Sequence, residues 1–342
     1  ATGVPIGIGV SELKRALSEK PIAVLLTEPG YLGTISDLPA LIEAAHAVDV
    51  PVILDAAWGG HFGFHPELPR HAFQVGADAL ITSTHKALPG YSASALLLAR
   101  TTLLSAERLE QSFETTHTTS PAGAPLASID GVRALLETRG EELIGKLLSN
   151  IHRFKEMVQA EFPLPIFLYP SDFPEGRFDP SKIVLRVQQL GASGVDIEED
   201  LQAKGIRVEM ADRDTIVFLG TIADTQADFD HLADVLIPIL KKRQEQRRES
   251  ATALSWSVVP QRAASMRDAY FAETEMVSAS HAVGRISADL IAPYPPGVAV
   301  VAPGEVLTKQ IVEGLSASRE AGVRIAYATD PTLARYRVVK SS

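Results

Sequence analysis

The chain has 342 residues, 46% hydrophobic and 22% charged, with 24 glycines and 22 prolines, a profile that fits two or three globular domains and excludes disorder, collagen and coiled coil. Its 32 Lys and Arg against 42 Asp and Glu give a formal charge of −10, so no long-range attraction draws it to a phosphate backbone or an anionic leaflet, and neither nucleic acid nor membrane is expected as a partner. Cysteine is absent, which excludes a disulfide framework, a thiolate metal site and a thiol nucleophile and is compatible with the cytoplasm, the expected location.

No uncharged run approaches the ~20 apolar residues that a spanning helix needs; the best, Leu290 to Pro303, is interrupted by Pro293, Pro295 and Pro296. The opening Ala1-Thr2-Gly3-Val4-Pro5 has neither an initiator Met nor a basic-then-apolar leader, so a fragment is expected. Pro21 to Thr27 then reads as an apolar strand, Glu28 to Thr34 as a turn, and Asp37 to Val48 as a helix with Leu38, Leu41, Ile42, Ala45 and Val48 on one face after a Ser36/Asp37 cap. Pro51 to Asp55 is a second buried strand ending on a carboxylate. A helix-like stretch, Leu68 to Val75, precedes a third strand at Ala79 to Thr82, and Ala93 to Leu98 is a fourth. This alternation predicts a doubly wound α/β unit whose four strand C-termini form one rim. Val132 to Phe162 carries a long helical stripe that leads out of the first domain.

Ile183 to Val187, a helix around Val195 to Lys204, Arg207 to Met210, Thr215 to Leu219 and a helix near Ala227 to Leu240 predict a small α+β domain. The basic segment Lys241 to Arg248 reads as a solvated helix end and linker. Leu254 to Ser342, with turns at Tyr294-Pro295-Pro296-Gly297 and Pro303-Gly304-Glu305, forms a third piece. The expected domains are 1–150, 151–248 and 249–342.

In open α/β sheets ligands sit beyond the carboxyl ends of the strands. Asp55 and the Ser83-Thr84-His85-Lys86 turn therefore face one crevice, with the lysine 31 positions after the carboxylate. That pair suits pyridoxal 5'-phosphate (PLP): a lysine amine condenses with the aldehyde, and a carboxylate keeps the pyridine nitrogen protonated. Taken singly, Asp55 also fits a strand-end cap. His61 and His65 lack convincing zinc spacing, and no metal site is expected.

The stretch PVILDAAWGGHFGFHPELP followed by GADALITSTHKALPG resembles the ornithine/lysine/arginine decarboxylases of PLP fold type I, with their DEAHGAHF or DSAW, HPELP-like and STHK segments. The resemblance extends to Thr27-Glu28-Pro29-Gly30-Tyr31-Leu32-Gly33 with Ser36-Asp37-Leu38, to Thr118-Thr119-Ser120-Pro121, and to Ala282-Val283-Gly284-Arg285-Ile286 and Pro303-Gly304-Glu305. It implies an α/β fold: an N-terminally incomplete PLP fold type I major domain with a mainly parallel sheet, a small α+β domain and a C-terminal α/β domain.

By the same resemblance Lys86 would carry PLP as a Schiff base, Asp55 would meet the pyridinium, and Ala57 would lie beneath the ring. Trp58 would pack near the cofactor or fill the core. Ser83 would hold the phosphate. His85 would sit beside the cofactor, or serve as a turn histidine bonded to backbone. Thr118 and Thr119 would reach the phosphate of a neighbouring subunit, placing the site at the interface of a homodimer or larger oligomer, though either one taken singly also fits a hydroxyl turn, and Glu305 would meet the distal cation of a basic amino-acid substrate or lie in a surface turn. The implied reaction is decarboxylation of arginine, lysine or ornithine; a non-catalytic fragment or assembly subunit of the same fold is the alternative.

Two departures bear on substrate choice: Ala56 stands where the DEAH branch has Glu, and Ala87-Leu88-Pro89-Gly90-Tyr91-Ser92 replaces a leucine-rich run ending in Gln. The family's Gly-Ser/Thr phosphate loop and ring-stacking histidine are expected in a segment preceding Ala1.

Overall fold

The computed structural model describes residues 6–100, 102–245, 258–294 and 297–340. The extreme N-terminal text, Gln246 to Arg248 of the basic segment, the start of the third piece at Leu254, and Pro295 and Pro296 of the predicted turn lie outside the described residues. The chain divides into two compact units, Ala1–Leu185 with Val217–Ile237, and Arg186–Ile216 with Pro238–Ser342.

In the first unit, α1 (Val10–Leu17) buries Leu13 and Leu17. After β1 (Val24–Thr27) comes α2 (Leu38–His46), which starts where the Asp37 carboxylate accepts from the Ala40 amide at 3.3 Å and Pro39 occupies the first turn. Its Leu38, Leu41, Ile42 and Ala45 bury against Val24, Val52, Leu54 and Leu80, each large side chain contributing about 1.5–3 kcal/mol of hydrophobic stabilisation. β1, β2 (Val52–Asp55) and β3 (Ala79–Ser83) pair in parallel, and the sheet order is β1-β2-β3-β4. Leu25, Ile81 and Leu97 of the opposite sheet face are exposed.

β4 (Ala95–Ala99) departs from expectation. It runs antiparallel to β3, with Ser83 opposite Ala95, so three strand C-termini and the N-terminus of β4 make the rim. Residues 84–94 are too few for a parallel crossover, which takes a dozen or more, whereas they suffice for a return turn. Of the helix-like stretch Leu68 to Val75, only Ala72–Val75 forms a helical turn, closed by Gly76 at φ +104°.

α3 (Ala106–Thr116), which the sequence reading passed over, is capped by the Ser105 hydroxyl and buries no residue. α4 (Gly123–Gln159) runs 37 residues and begins nine before the predicted start. Its buried positions run from Val132 to Val158, so the apolar stripe marked where the helix meets the core and not where it begins. β5 (Lys182–Arg186) is buried at all five positions. α5 (Gly194–Gln202), β6 (Met210–Ala211), β7 (Thr215–Leu219) and α6 (Gln226–Arg243) follow; the first three residues of the basic segment close α6.

The second unit adds α7 (Met266–Phe271), β8 (Thr274–Ser278), α8 (Ala279–Ala282), β9 (Ala292–Tyr294), α9 (Lys309–Glu320), β10 (Arg324–Ala326) and β11 (Arg335–Val339). β8 pairs with β11 and β9 with β10, both antiparallel, over a core that includes Ile291, Val301, Leu307, Ile311, Leu315, Tyr336 and Val338. Among the described residues no helix is long and apolar enough to cross a membrane.

A buried polar cluster ties distant stretches of the first unit together. His61 Nε2 lies 3.0 Å from Ser181 Oγ and 3.2 Å from Asp179 Oδ2, while the Ser181 hydroxyl and amide donate to Asp179 Oδ1 at 2.6 and 2.9 Å. The Asp179 amide donates to the Gly33 carbonyl at 2.9 Å and the Ile35 amide to the Arg177 carbonyl at 3.0 Å; the Arg177 guanidinium meets Asp37 at 2.6 Å. Burial pushes the Asp179 carboxyl up, but His61, Ser181 and Lys182 together outweigh it and hold the group below its ordinary 3.8. The stability this supplies is present above about pH 4 and is lost as pH falls through the folded value.

Asp179→Asn is therefore expected to lose about 3 kcal/mol at pH 7 by stranding its buried partners, and the gap to wild type is expected to narrow below about pH 4 in urea unfolding followed across pH. Phe154, fully buried between Phe167 and Phe229 with ring centroids 5.9 and 6.1 Å away, gives a second check: Phe154→Ala should cost about 3–5 kcal/mol in the same measurement.

Candidate active site

Parallel pairing sets the site's floor. Thr27, Asp55 and Ile81 are level across β1, β2 and β3, and the pairing continues past the strands: the Glu28 amide donates to Asp55 O at 2.9 Å and the Ala56 amide to Ile81 O at 2.7 Å. Thr82 Oγ1 donates to Ala56 O at 2.9 Å. The Asp55 carboxylate accepts from the Ala57 amide at 3.1 Å, which turns the chain sharply at the rim and presents half-buried Ala57, then Trp58.

Trp58 is 8% exposed, and the Tyr31 ring meets it edge-on at 5.5 Å between centroids. Lys86 Nζ lies 4.9 Å from the centroid of the same indole, within cation–π range. The loop after β2 and the loop after β3 thus meet through Trp58 and Lys86.

The loop carrying Lys86 is tightly wound. The Gly90 amide donates to Thr84 O at 2.7 Å, and a Cβ at Gly90 would collide with that carbonyl. His85 Nδ1 lies 2.8 Å from Ser94 O and 3.1 Å from Ser94 N, so it donates to the carbonyl in one tautomer and accepts from the amide in the other. Its backbone-bonded role in the turn is therefore realised, with Nε2 left as the nitrogen for other work. Ser83, 8% exposed, ends β3 on the same rim.

Asp55, Ala57, Trp58, Ser83, His85 and Lys86 are thus gathered at one end of the sheet. Thr118 and Thr119 stand exposed between α3 and α4, where Thr118 Oγ1 accepts from the Ser120 amide at 3.2 Å. Glu305 lies in the second unit, its carboxylate accepting from the Ala302 amide at 2.7 Å.

Sequence reasoning missed Lys182. It is 1% exposed, and its Nζ lies 3.6 Å from the Trp58 centroid and 5.9 Å from that of Tyr31. Room for its stem comes from Gly33 at φ +86°, where a Cβ would approach Lys182 Cγ to 2.8 Å. Beneath it, buried Lys155 Nζ donates to the carbonyls of Lys182 and Leu168 at 3.0 and 3.1 Å; burial pushes the Lys155 amine down to about 8, against the pull of Asp179 and Asp172. A lysine at the edge of an apolar strand reads as a solvated flank, and the only sequence hint was its place beside Asp179 and Ser181.

The donor set fits PLP at two of its handles: a primary amine that could take the aldehyde and a carboxylate on the same rim that could meet the pyridine nitrogen. For the phosphate, the rim offers the Ser83 hydroxyl.

Residues 3–167 match the family description "Orn/Lys/Arg decarboxylase, major domain", and residues 244–325 match "Orn/Lys/Arg decarboxylase, C-terminal domain". Arginine decarboxylase of Bacillus subtilis (strain 168) is 34% identical over 347 residues, spanning 99% of this chain and 70% of the relative. The solved structure of the constitutive lysine decarboxylase of Escherichia coli superposes with a TM-score of 0.78 at 21% identity, over 99% of this chain and 62% of that one. A structure titled "SPT with PLP" superposes with a TM-score of 0.53 at 16% identity, over 68% of this chain and 59% of its own. The chain therefore has PLP fold type I architecture and spans about 62–70% of the length of these decarboxylases. On the matched segments and the identity to the Bacillus subtilis relative, it belongs to the ornithine/lysine/arginine decarboxylase family.

Proposed function

We propose that this chain forms the cofactor-binding core of a PLP-dependent decarboxylase that converts arginine, lysine or ornithine to the corresponding amine and carbon dioxide. The observation that carries the reading is the meeting of two rim loops, one bearing Asp55 and the other Lys86, through the Trp58 indole. The relatives named arginine decarboxylase make arginine the first substrate to assay.

When bound, PLP supplies an electron-accepting ring for the electron pair left as the substrate carboxylate departs. Asp55 keeps a proton on the ring nitrogen, which preserves that electron demand. The Lys86 amine would hold the cofactor through its aldehyde and, once released, would be the base whose proton could go to the carbon that lost carbon dioxide. Trp58 walls the amine from water, and Ala57 leaves room for the ring. Ser83 would hold the phosphate, and His85, with Nδ1 tied to Ser94, would turn its other nitrogen to cofactor or substrate. The exposure of Thr118 and Thr119 supports their reaching the phosphate of a neighbouring copy in a homodimer or larger assembly. Glu305, within the segment that matches the C-terminal domain, is the carboxylate to which the family resemblance assigns the distal cation of a basic substrate.

The test is carbon dioxide release from arginine, lysine and ornithine with added PLP. Release from at least one is expected, with Lys86→Ala abolishing it and Asp55→Asn lowering it by roughly 10²-fold or more. Release that survives Lys86→Ala, or a keto-acid product, contradicts the proposal; PLP binding with no release from any substrate points to the non-catalytic subunit instead.

A further inference from the structure

Two lysines share one indole. Lys182 Nζ lies 3.6 Å from the Trp58 centroid and Lys86 Nζ 4.9 Å from it, while Tyr31 meets the ring edge-on at 5.5 Å. We infer that Lys182 is a positioning residue for Lys86: its buried ammonium fixes the Trp58 indole, and the fixed indole sets where the Lys86 amine lies. The assignment rests on the reading of Lys86 as the cofactor lysine.

The two lysines are not equivalent. A cation–π contact strengthens as it is desolvated; Lys182 is 1% exposed and lies closer to the ring, whereas Lys86 is half-buried on a loop. Lys182 is also held at its backbone and at the base of its stem. Its amide donates to Asp179 O at 3.1 Å, its carbonyl accepts from Lys155, and its stem packs on Gly33. The Asp179 carboxylate, gripped by His61 and Ser181, supplies nearby negative charge. A buried frame from residues 177–182 and 31–33 therefore fixes the indole from one side of the contact, and Lys86 meets a surface already set. For an amine that must reach one aldehyde carbon, that pre-set surface removes freedom which would otherwise be lost at each encounter.

The test measures the coupling without the cofactor. In a chain carrying Trp256→Phe, Trp58 is the sole indole, since the sequence has 2 tryptophans. Reductive methylation of the Lys86 amine is timed by peptide mass against exposed Lys14 and Lys146, and acrylamide quenching reports how firmly Trp58 is held. Lys182→Met is expected to raise the relative methylation rate of Lys86 by about fivefold, the size of one half-buried cation–π contact, and to increase quenching. Lys182→Arg, which keeps the cation, should restore both values. Trp58→Leu should give the same rise at Lys86, with Lys182→Met adding nothing further in that background. A Lys86 rate within twofold of wild type in folded Lys182→Met, or an undiminished effect of Lys182→Met without the indole, overturns the inference. Should Lys182→Met fail to fold by circular dichroism, Trp58→Leu decides, because an unchanged Lys86 rate there overturns it equally. PLP added to the wild type separates the two claims: no Lys86-dependent change in visible absorbance contradicts the proposed function, while the methylation cycle still decides the coupling.

Discussion

The parallel register of β1, β2 and β3 is the constraint on which the site depends. It puts Thr27, Asp55 and Ile81 level, so the chain leaves three neighbouring strands at one edge and has no choice about where the next few residues begin. Asp55 reaches the rim because it ends β2; Lys86 reaches it because the turn after β3 is too tight to carry it elsewhere. A one-residue slip of β2 would turn Asp55 to the other face of the sheet and take its carboxylate out of the place it now holds on the rim.

Around that rim the protein buries charge where hydrophobic packing would be simpler. Asp179, Lys182 and Lys155 are each 2% exposed or less, and desolvating such groups is costly unless hydrogen bonds and opposite charges offset it. His61, Ser181 and the carbonyls of Leu168 and Lys182 do so here. The outcome is specificity of position: the 28–37 loop, the 58–62 turn and the 177–182 segment can dock in few ways that keep the Asp179, Ser181 and Lys155 hydrogen bonds made. Trp58, lying between the rim and this network, is where the frame touches the proposed chemistry.

Much of this was legible in the sequence, for physical reasons. Buried parallel strands are short apolar runs, so PVILD and ALIT announced themselves, and the Asp37 cap identified the start of α2. The family text around Asp55 and Lys86 named residues that the fold indeed gathers. Other features left no mark. The direction of β4 depends on loop geometry, which alternation of side chains does not encode. The first turns of α4 bury nothing and so lack a stripe. Lys182 and His61 were illegible because a charged residue beside an apolar run normally faces water, and only the three-dimensional meeting of Gly33, Asp179 and Trp58 reveals a buried slot.

The central claim is that Lys86, and not its neighbour across the indole, is the amine that holds the cofactor. Borohydride reduction of the protein incubated with PLP, followed by peptide mass mapping, addresses it most directly. The account predicts a pyridoxyl mass increment on the peptide containing Lys86; an increment on Lys182 or on surface lysines alone, with Lys86 unmodified, would contradict it.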